Sequence, residues 1–115
     1  MLRFVVAEVD AKGRRMLVIA GIVKVKSELR AEAVKEALEM ARATQAEPGC
    51  KAYRFSADLE DPNTFLLFEE WENEEALARH FQSAHMARFN AAAPRLMGGA
   101  PLFNRYDVSA KVKMM

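Results

Sequence analysis

The residues best suited to chemistry lie between positions 50 and 85. The two histidines are five residues apart, which separates them by about 140° on a continuous helix. They would therefore share a site only if the helix broke near Ser83. Neither an HxxxH spacing nor a multi-cysteine set is present, so we predict no metal site. The candidates are Cys50, Glu69, Glu70, Trp71, His80 and His85.

Spacing alone favours structural roles for these residues. Glu69 and Glu70 face opposite sides of a strand and cannot act as a catalytic pair. Whichever of the two is buried would need Arg54, Arg105 or a histidine as its partner. Cys50 is expected to be a small buried hydrophobe. A tryptophan at the position of Trp71 is more often a core aromatic than a catalytic group. The two histidines are more often hydrogen-bonded surface residues than catalytic groups. GxGxxG, P-loop, GxSxG and CxxC motifs are absent, so nucleotide cofactors have no support in the sequence.

The elements that position these residues follow from hydrophobic periodicity. Met16–Lys26 is rich in Val and Ile and predicts a strand that is apolar on both faces. Ser27 is the predicted N-cap of a helix that reaches about Ala46, where Glu-Pro-Gly at 47–49 stops it. Further predicted elements are strands over Lys51–Leu59, Thr64–Trp71 and Leu102–Val108, and a helix that is capped by Asn73, restarts at Ser83 and is closed by Pro94 and Gly98-Gly99.

The resulting order β-α-β-β-α-β predicts an α+β, ferredoxin-like fold with an antiparallel sheet and helices on one face. Its first and third strands are central, and these are the strands that are apolar on both faces. The second face of the sheet needs a cover that the chain does not supply. A second copy is the simplest cover, so we predict a homodimer with the sheets packed face to face and small pockets between sheet and helices.

Composition limits the function classes. The chain has 115 residues, of which 51% are hydrophobic and 29% charged, with a net charge of +1. We therefore expect one globular domain over residues 16–109, an extension over 1–15 with a strand or arm at Phe4–Val9, and a tail over 110–115. The near-zero net charge argues against nucleic acid, and no apolar run is long enough to span a membrane. A single cysteine fits a reducing cytoplasm.

An ordered set of residues resembles the antibiotic biosynthesis monooxygenase family, close to its quinol monooxygenase branch. The apolar strand over Met16–Val25 and the strand over Pro101–Tyr106 extend the likeness. The residues that carry the resemblance are Pro48-Gly49-Cys50, Tyr53, the turn from Asp58 to Pro62, Phe68-Glu-Glu-Trp71, Ala76-Leu77, His80 and His85.

This resemblance implies a dimeric α+β barrel and, as in some relatives, oxidation of a quinol or polyphenol by molecular oxygen without metal or flavin. His80 and Trp71 would be catalytic, with His80 accepting a proton from a substrate hydroxyl. Phe68, Tyr53 and His85 would contact a small aromatic substrate. The resemblance therefore implies no cofactor.

Two alternatives remain beside the oxygenase. An isomerase of a small oxygenated metabolite would need basic residues such as Arg54 or Arg79 inside the pocket. A binding dimer without enzymatic activity would have exposed histidines and a closed pocket. Haem degradation is disfavoured because the first strand, Met16–Lys26, has no asparagine, which haem-degrading relatives use there.

Overall fold

The computed structural model describes residues 13–115. Most of the predicted extension, including the strand at Phe4–Val9, lies outside these residues. Residues 108–115 contain no helix or strand. The elements are β1 (Leu17–Lys24), α1 (Arg30–Gln45), β2 (Cys50–Ala57), β3 (Thr64–Trp71), α2 (Glu74–Phe81), α3 (Ala84–Leu96) and β4 (Leu102–Asp107).

The four strands form one antiparallel sheet in the order β2-β3-β1-β4. This confirms the ferredoxin-like α+β fold and the central position of the first and third strands. Successive residues of β3 lie on opposite faces of the sheet. Phe65, Leu67 and Trp71 are buried under the helices, whereas Phe68 lies on the other face and is 43% exposed.

The start of α1 and the end of α3 differ from the prediction. Ser27 begins a short 3-10 helix over Ser27–Leu29 and does not cap α1, whose N-cap Leu29 makes no side-chain cap hydrogen bond. Pro94 lies inside α3, which continues to Leu96. The Ser83 restart is confirmed, because the Ser83 hydroxyl accepts a hydrogen bond from the Met86 amide.

The core lies between the helices and one face of the sheet. Met40 and Ala41 of α1 and Leu77 of α2 pack with Leu17, Leu67 and Trp71 of the sheet in one buried cluster. A second cluster joins Val25 and Phe65 to Ala33, Ala37 and Leu96. We call the other side of the sheet the open face; its exposed apolar residues are Ile22, Phe68, Leu102 and Tyr106.

Among residues 13–115, no helix has the length and hydropathy needed to cross a bilayer.

Candidate functional site

A cavity of about 320 Å³ lies between the sheet and the helices. This volume falls within the range of small-molecule sites. Three of its polar lining residues form a group, Tyr53, Glu69 and His80, and Glu36 and Asn90 lie elsewhere on the wall. Most of the wall is apolar and includes Ile19, Val23, Phe55, Leu67, Phe89 and Phe103.

His80 reaches the cavity because α2 is fixed at its start. The Asn73 side chain accepts a hydrogen bond from the Ala76 amide at 2.9 Å, as the sequence predicts for this cap. Leu77 and His80, three residues apart, then share the buried side of the helix. The His80 ring is 1% exposed and lies 4.9 Å from the Trp71 ring, measured between centroids.

Glu47 is the partner of His80 and was not among the predicted site residues. Its carboxylate lies 2.7 Å from His80 Nδ1. Gly49, in the same turn, has a φ of +83°, and a Cβ there would lie 2.5 Å from the Cβ of Ala76. Only glycine therefore lets this turn lie so close to α2. From the sequence, Glu47-Pro-Gly is predicted only to end a helix. In the structure, Cys50 pairs with Trp71 and so brings this turn to the end of β3.

The second histidine lies beside the same carboxylate. The break at Ser83 brings the His80 and His85 rings to 5.8 Å between centroids, as the sequence required for a shared site. His85 Nε2 is 3.4 Å from Glu47 Oε1. His85 does not line the cavity that His80 lines. Instead it lines a smaller depression with Arg88 and Phe89.

Glu69 is the buried member of the glutamate pair, and its partner is not the predicted arginine or histidine. It accepts a hydrogen bond from Trp71 Nε1 at 2.9 Å, because side chains two residues apart share one face of a strand. Burial, with a smaller effect of the Glu47 charge, raises the pKa of Glu69 to about 7, and the Trp71 hydrogen bond partly opposes this rise. Glu70 lies on the open face, where Lys111 Nζ is 3.1 Å from its carboxylate.

Burial shifts the pKa values of three further groups, His80, Tyr53 and Cys50, towards their neutral forms. Burial lowers the pKa of His80, while the hydrogen bond to Glu47 acts in the opposite direction. Burial also raises the pKa of Tyr53 above its usual value. The pKa of the Cys50 thiol is raised to about 11, first by burial and then by the nearby charge of Glu47. A protonated Cys50 thiol is a poor nucleophile, which agrees with its predicted packing role.

The structure separates the predicted site residues into four places. Tyr53 and His80 line the cavity, and Trp71 lies fully buried behind His80 without lining it. His85 lies on the Glu47 side of His80. Phe68 does not line the cavity, because it is three residues from Trp71 on the same strand and points to the open face. Successive strand residues alternate between faces, so Phe68 and Trp71 cannot form one wall.

Comparison with known proteins assigns the family. The model of the family described as antibiotic biosynthesis monooxygenase matches residues 16–92. The chain belongs to this family. It is 34% identical over 87 residues to the Bacillus subtilis protein named "Putative monooxygenase YcnE", covering 76% of this chain and 90% of that one. It is also 36% identical over 101 residues to the uncharacterised protein sll1783 of Synechocystis, covering 87% and 69% of the two chains.

Solved structures show the same fold. A protein from Deinococcus radiodurans superposes with a TM-score of 0.80 at 25% identity, covering 86% of this chain and 98% of that one. Rv0793 from Mycobacterium tuberculosis superposes with a TM-score of 0.76 at 19% identity, covering 81% and 94%. Membership of the antibiotic biosynthesis monooxygenase family supports a monooxygenase-like function for this chain.

Proposed function

We propose that this protein is a monooxygenase that oxidises a quinol or polyphenol-type aromatic with molecular oxygen, and that it uses neither a metal nor a flavin. The observation that carries the proposal is the position of His80. Its ring is buried, lines an apolar cavity and is held through Nδ1 by Glu47. A base at the wall of an apolar cavity is the group that a quinol needs in order to lose its first proton.

Glu47 determines which nitrogen of His80 serves as the base. A carboxylate accepts hydrogen bonds, so the ring proton belongs on Nδ1 and the lone pair on Nε2. No hydrogen bond from a described residue occupies Nε2. Burial lowers the pKa of His80, which keeps the ring neutral and able to accept a proton near pH 7.

The reaction balances without another reductant. His80 Nε2 accepts a proton from a ring hydroxyl, and the phenolate gives one electron to O₂, forming a semiquinone and superoxide. The two radicals combine through a new C–O bond. His80 returns its proton to the distal oxygen. The same ring carbon then loses its hydrogen as a proton, the O–O bond breaks and the carbon becomes a carbonyl, so that the distal oxygen leaves as water with these two protons. One oxygen atom thus enters the product, the other becomes water, and the substrate supplies all four electrons.

The walls of the cavity suit a flat aromatic ring. Phe55 and Phe89 have ring centroids 6.0 Å apart, and Tyr53 meets Phe55 edge-on at 5.9 Å. Rings in such positions can stack on or pack edge-on against an aromatic substrate. Trp71 contributes from behind, by contacting His80 and by donating its N–H to Glu69.

The isomerase alternative has less support. Arg54 and Arg79 are exposed, and among the described residues no lysine or arginine lines the cavity. An anionic substrate would therefore be desolvated there without a cationic partner.

We also propose that the protein acts as a homodimer through its open face. Ile22 and Phe68 of the central strands and Leu102 and Tyr106 of β4 are each between 42% and 60% exposed, and all lie on this one face. Cross-strand neighbours place Ile22 beside Leu102. Several exposed apolar side chains on one face of a sheet are typical of a subunit interface.

Oxygen uptake tests the proposed function. The purified protein would be assayed against hydroquinones, naphthoquinols and catechols, with and without a chelator, in parallel with His80→Gln and Arg79→Gln variants. Arg79 is the matched control because it is exposed and adjacent to His80 on α2. We expect uptake with at least one substrate, its retention with chelator and in Arg79→Gln, and a loss of about 10²-fold or more in His80→Gln. Uptake abolished by the chelator, or unchanged in His80→Gln, would contradict the proposal.

A further inference from the structure

Three possible metal ligands converge on the side of His80 that faces Glu47. One ligand atom from each of Glu47, His80 and His85 lies within 4.8 Å of the others. Glu47 Oε2 is 2.7 Å from His80 Nδ1, and Glu47 Oε1 is 3.4 Å from His85 Nε2. The carboxylate therefore lies between the two imidazoles, with one oxygen towards each ring.

These separations fit a small divalent ion. Zinc lies about 2.0–2.2 Å from nitrogen and oxygen ligands, so the ligand atoms of a tetrahedral site are about 3.3 Å apart. The two Glu47 distances lie on either side of this value. The third separation can be as long as 4.8 Å, so side-chain rotation must shorten it before one ion can contact all three ligand atoms. Two imidazoles with one carboxylate form a ligand set that binds zinc and similar transition ions.

His85 supplies an independent observation. Its Nε2 is buried, yet among the described residues it makes no hydrogen bond, although it faces the Glu47 carboxylate. A buried imidazole nitrogen without a hydrogen bond is costly unless another species satisfies it. The His85 side chain is 25% exposed, so water could reach a fourth position on an ion held there.

The three ligands are also held by rigid local structure. Gly49 allows the Glu47 turn to approach α2, as described above. The Ser83 hydroxyl donates to the His80 carbonyl at 2.7 Å and accepts from the Met86 amide at 3.2 Å, which fixes the break that presents His85. Preorganised ligands lose little conformational freedom when an ion binds.

We propose that Glu47, His80 and His85 bind one divalent transition-metal ion, represented by Zn²⁺, on the side of His80 away from the cavity. Glu47 and His85 do not line the cavity, so the ion would not touch a substrate there. Instead it would occupy Nδ1 of His80 and leave the ring proton on Nε2. Nε2, which the proposed function uses as the base, would then donate a hydrogen bond and could not accept a proton. This inhibitory effect rests on the proposed function, whereas ion binding does not.

Titration calorimetry with Zn²⁺ on the chelator-stripped protein tests the binding directly. We expect one ion per chain, and affinity at least about tenfold weaker in His85→Ala and in Glu47→Gln. Cys50→Ser and Glu36→Gln are the controls, because a thiol and a second carboxylate near the site are the competing ligands. Both controls should bind like the wild type. His85 is partly exposed, so its variant should keep the wild-type circular dichroism spectrum and Tm.

The outcomes separate this inference from the proposed function. Equal affinity in His85→Ala and wild type, or binding lost in Cys50→Ser, would overturn the site. Oxygen uptake measured with and without Zn²⁺ then tests the effect on His80. For each variant, the rate with Zn²⁺ is divided by the rate of the same variant without it. We expect inhibition in the wild type and little in His85→Ala. Binding without inhibition would overturn the effect on His80 alone, and binding in a protein that consumes no oxygen would overturn only the proposed function.

Discussion

At the scale of single residues, the site depends on contacts between side chains far apart in the sequence. His80 contacts the Glu47 carboxylate, which is 33 positions away in the sequence, and the ring of Trp71 on a different element. The sequence identified both His80 and Trp71 as candidates by residue type, and the family resemblance implied their catalytic roles. It did not identify Glu47, because a glutamate before Pro-Gly is ordinary helix-end composition. Only the close approach at Gly49 gives this residue its role.

Glu69 should make the stability of the protein depend on pH. Its folded-state pKa of about 7 lies above the ordinary value of 4.5, so the folded state binds more protons between these values. Stability contributed by protonated Glu69 is therefore complete below pH 4.5 and is lost as the pH rises through 7. We expect Glu69→Gln to be more stable than the wild type at pH 8, by up to about 3 kcal/mol, and the difference to shrink at pH 5.

Urea denaturation at pH 5 and pH 8 measures this effect. Glu70→Gln is the matched control, because Glu70 is the next residue on β3 but lies on the open face beside Lys111. The stability of Glu70→Gln should depend on pH in the same way as that of the wild type. A Glu69→Gln variant whose stability changes with pH as the wild type does would show that Glu69 is not the titrating group.

At the scale of elements, the break between α2 and α3 positions both histidines. Replacing Ser83 by alanine removes the hydrogen bond from the Met86 amide and the one to the His80 carbonyl. We expect Ser83→Ala to lose about 1 kcal/mol of stability, the usual cost of an N-cap. Ser27→Ala is the control, since Ser27 caps no α-helix, and it should stay within about 0.5 kcal/mol of the wild type. Equal Tm values for the two variants would contradict this role of Ser83.

Phe103 of β4 packs over Gly21 of β1, its cross-strand partner, and leaves no room there for a Cβ. A Cβ at Gly21 would lie 2.0 Å from Cδ1 of Phe103, which lines the cavity. Gly21→Ala should push this ring aside and destabilise the protein by about 1–3 kcal/mol. Gly99→Ala has open space around its Cβ and serves as the control. Thermal unfolding measures both variants, and the pair Gly21→Ala with Phe103→Ala should recover part of the loss. If the double variant recovers no stability, the loss in Gly21→Ala does not come from contact with the Phe103 ring.

Element positions were predictable from the sequence because they follow local rules. The strand Thr64–Trp71 is as predicted, and the Asn73 and Ser83 caps are confirmed. The exceptions concern two helix ends. Ser27 begins a 3-10 helix whose N-cap is Lys26, and Pro94 is tolerated inside α3. Strand alternation also places Trp71 and Phe68 on opposite faces of β3, and neither residue lines the cavity.

At the scale of the whole molecule, the open face predicts self-association. Phe68→Glu places a charge in the middle of this apolar surface, where burial against a second sheet would desolvate it. We expect a dimer for the wild type at micromolar concentration and a monomer for Phe68→Glu in sedimentation velocity experiments. Leu59→Glu, in the fully exposed turn between β2 and β3, should remain a dimer. A monomeric wild type would contradict the face-to-face arrangement.

The proposed role of His80, at the wall of the cavity, is to enable insertion of one oxygen atom into an aromatic substrate. Turnover of a quinol under ¹⁸O₂ in the presence of a chelator, with product analysis by mass spectrometry, tests it most directly. We expect one ¹⁸O atom in the product and the other in water, with product formation lost in His80→Gln and retained in Arg79→Gln. A product without ¹⁸O, or labelled product formed equally well by His80→Gln, would contradict it.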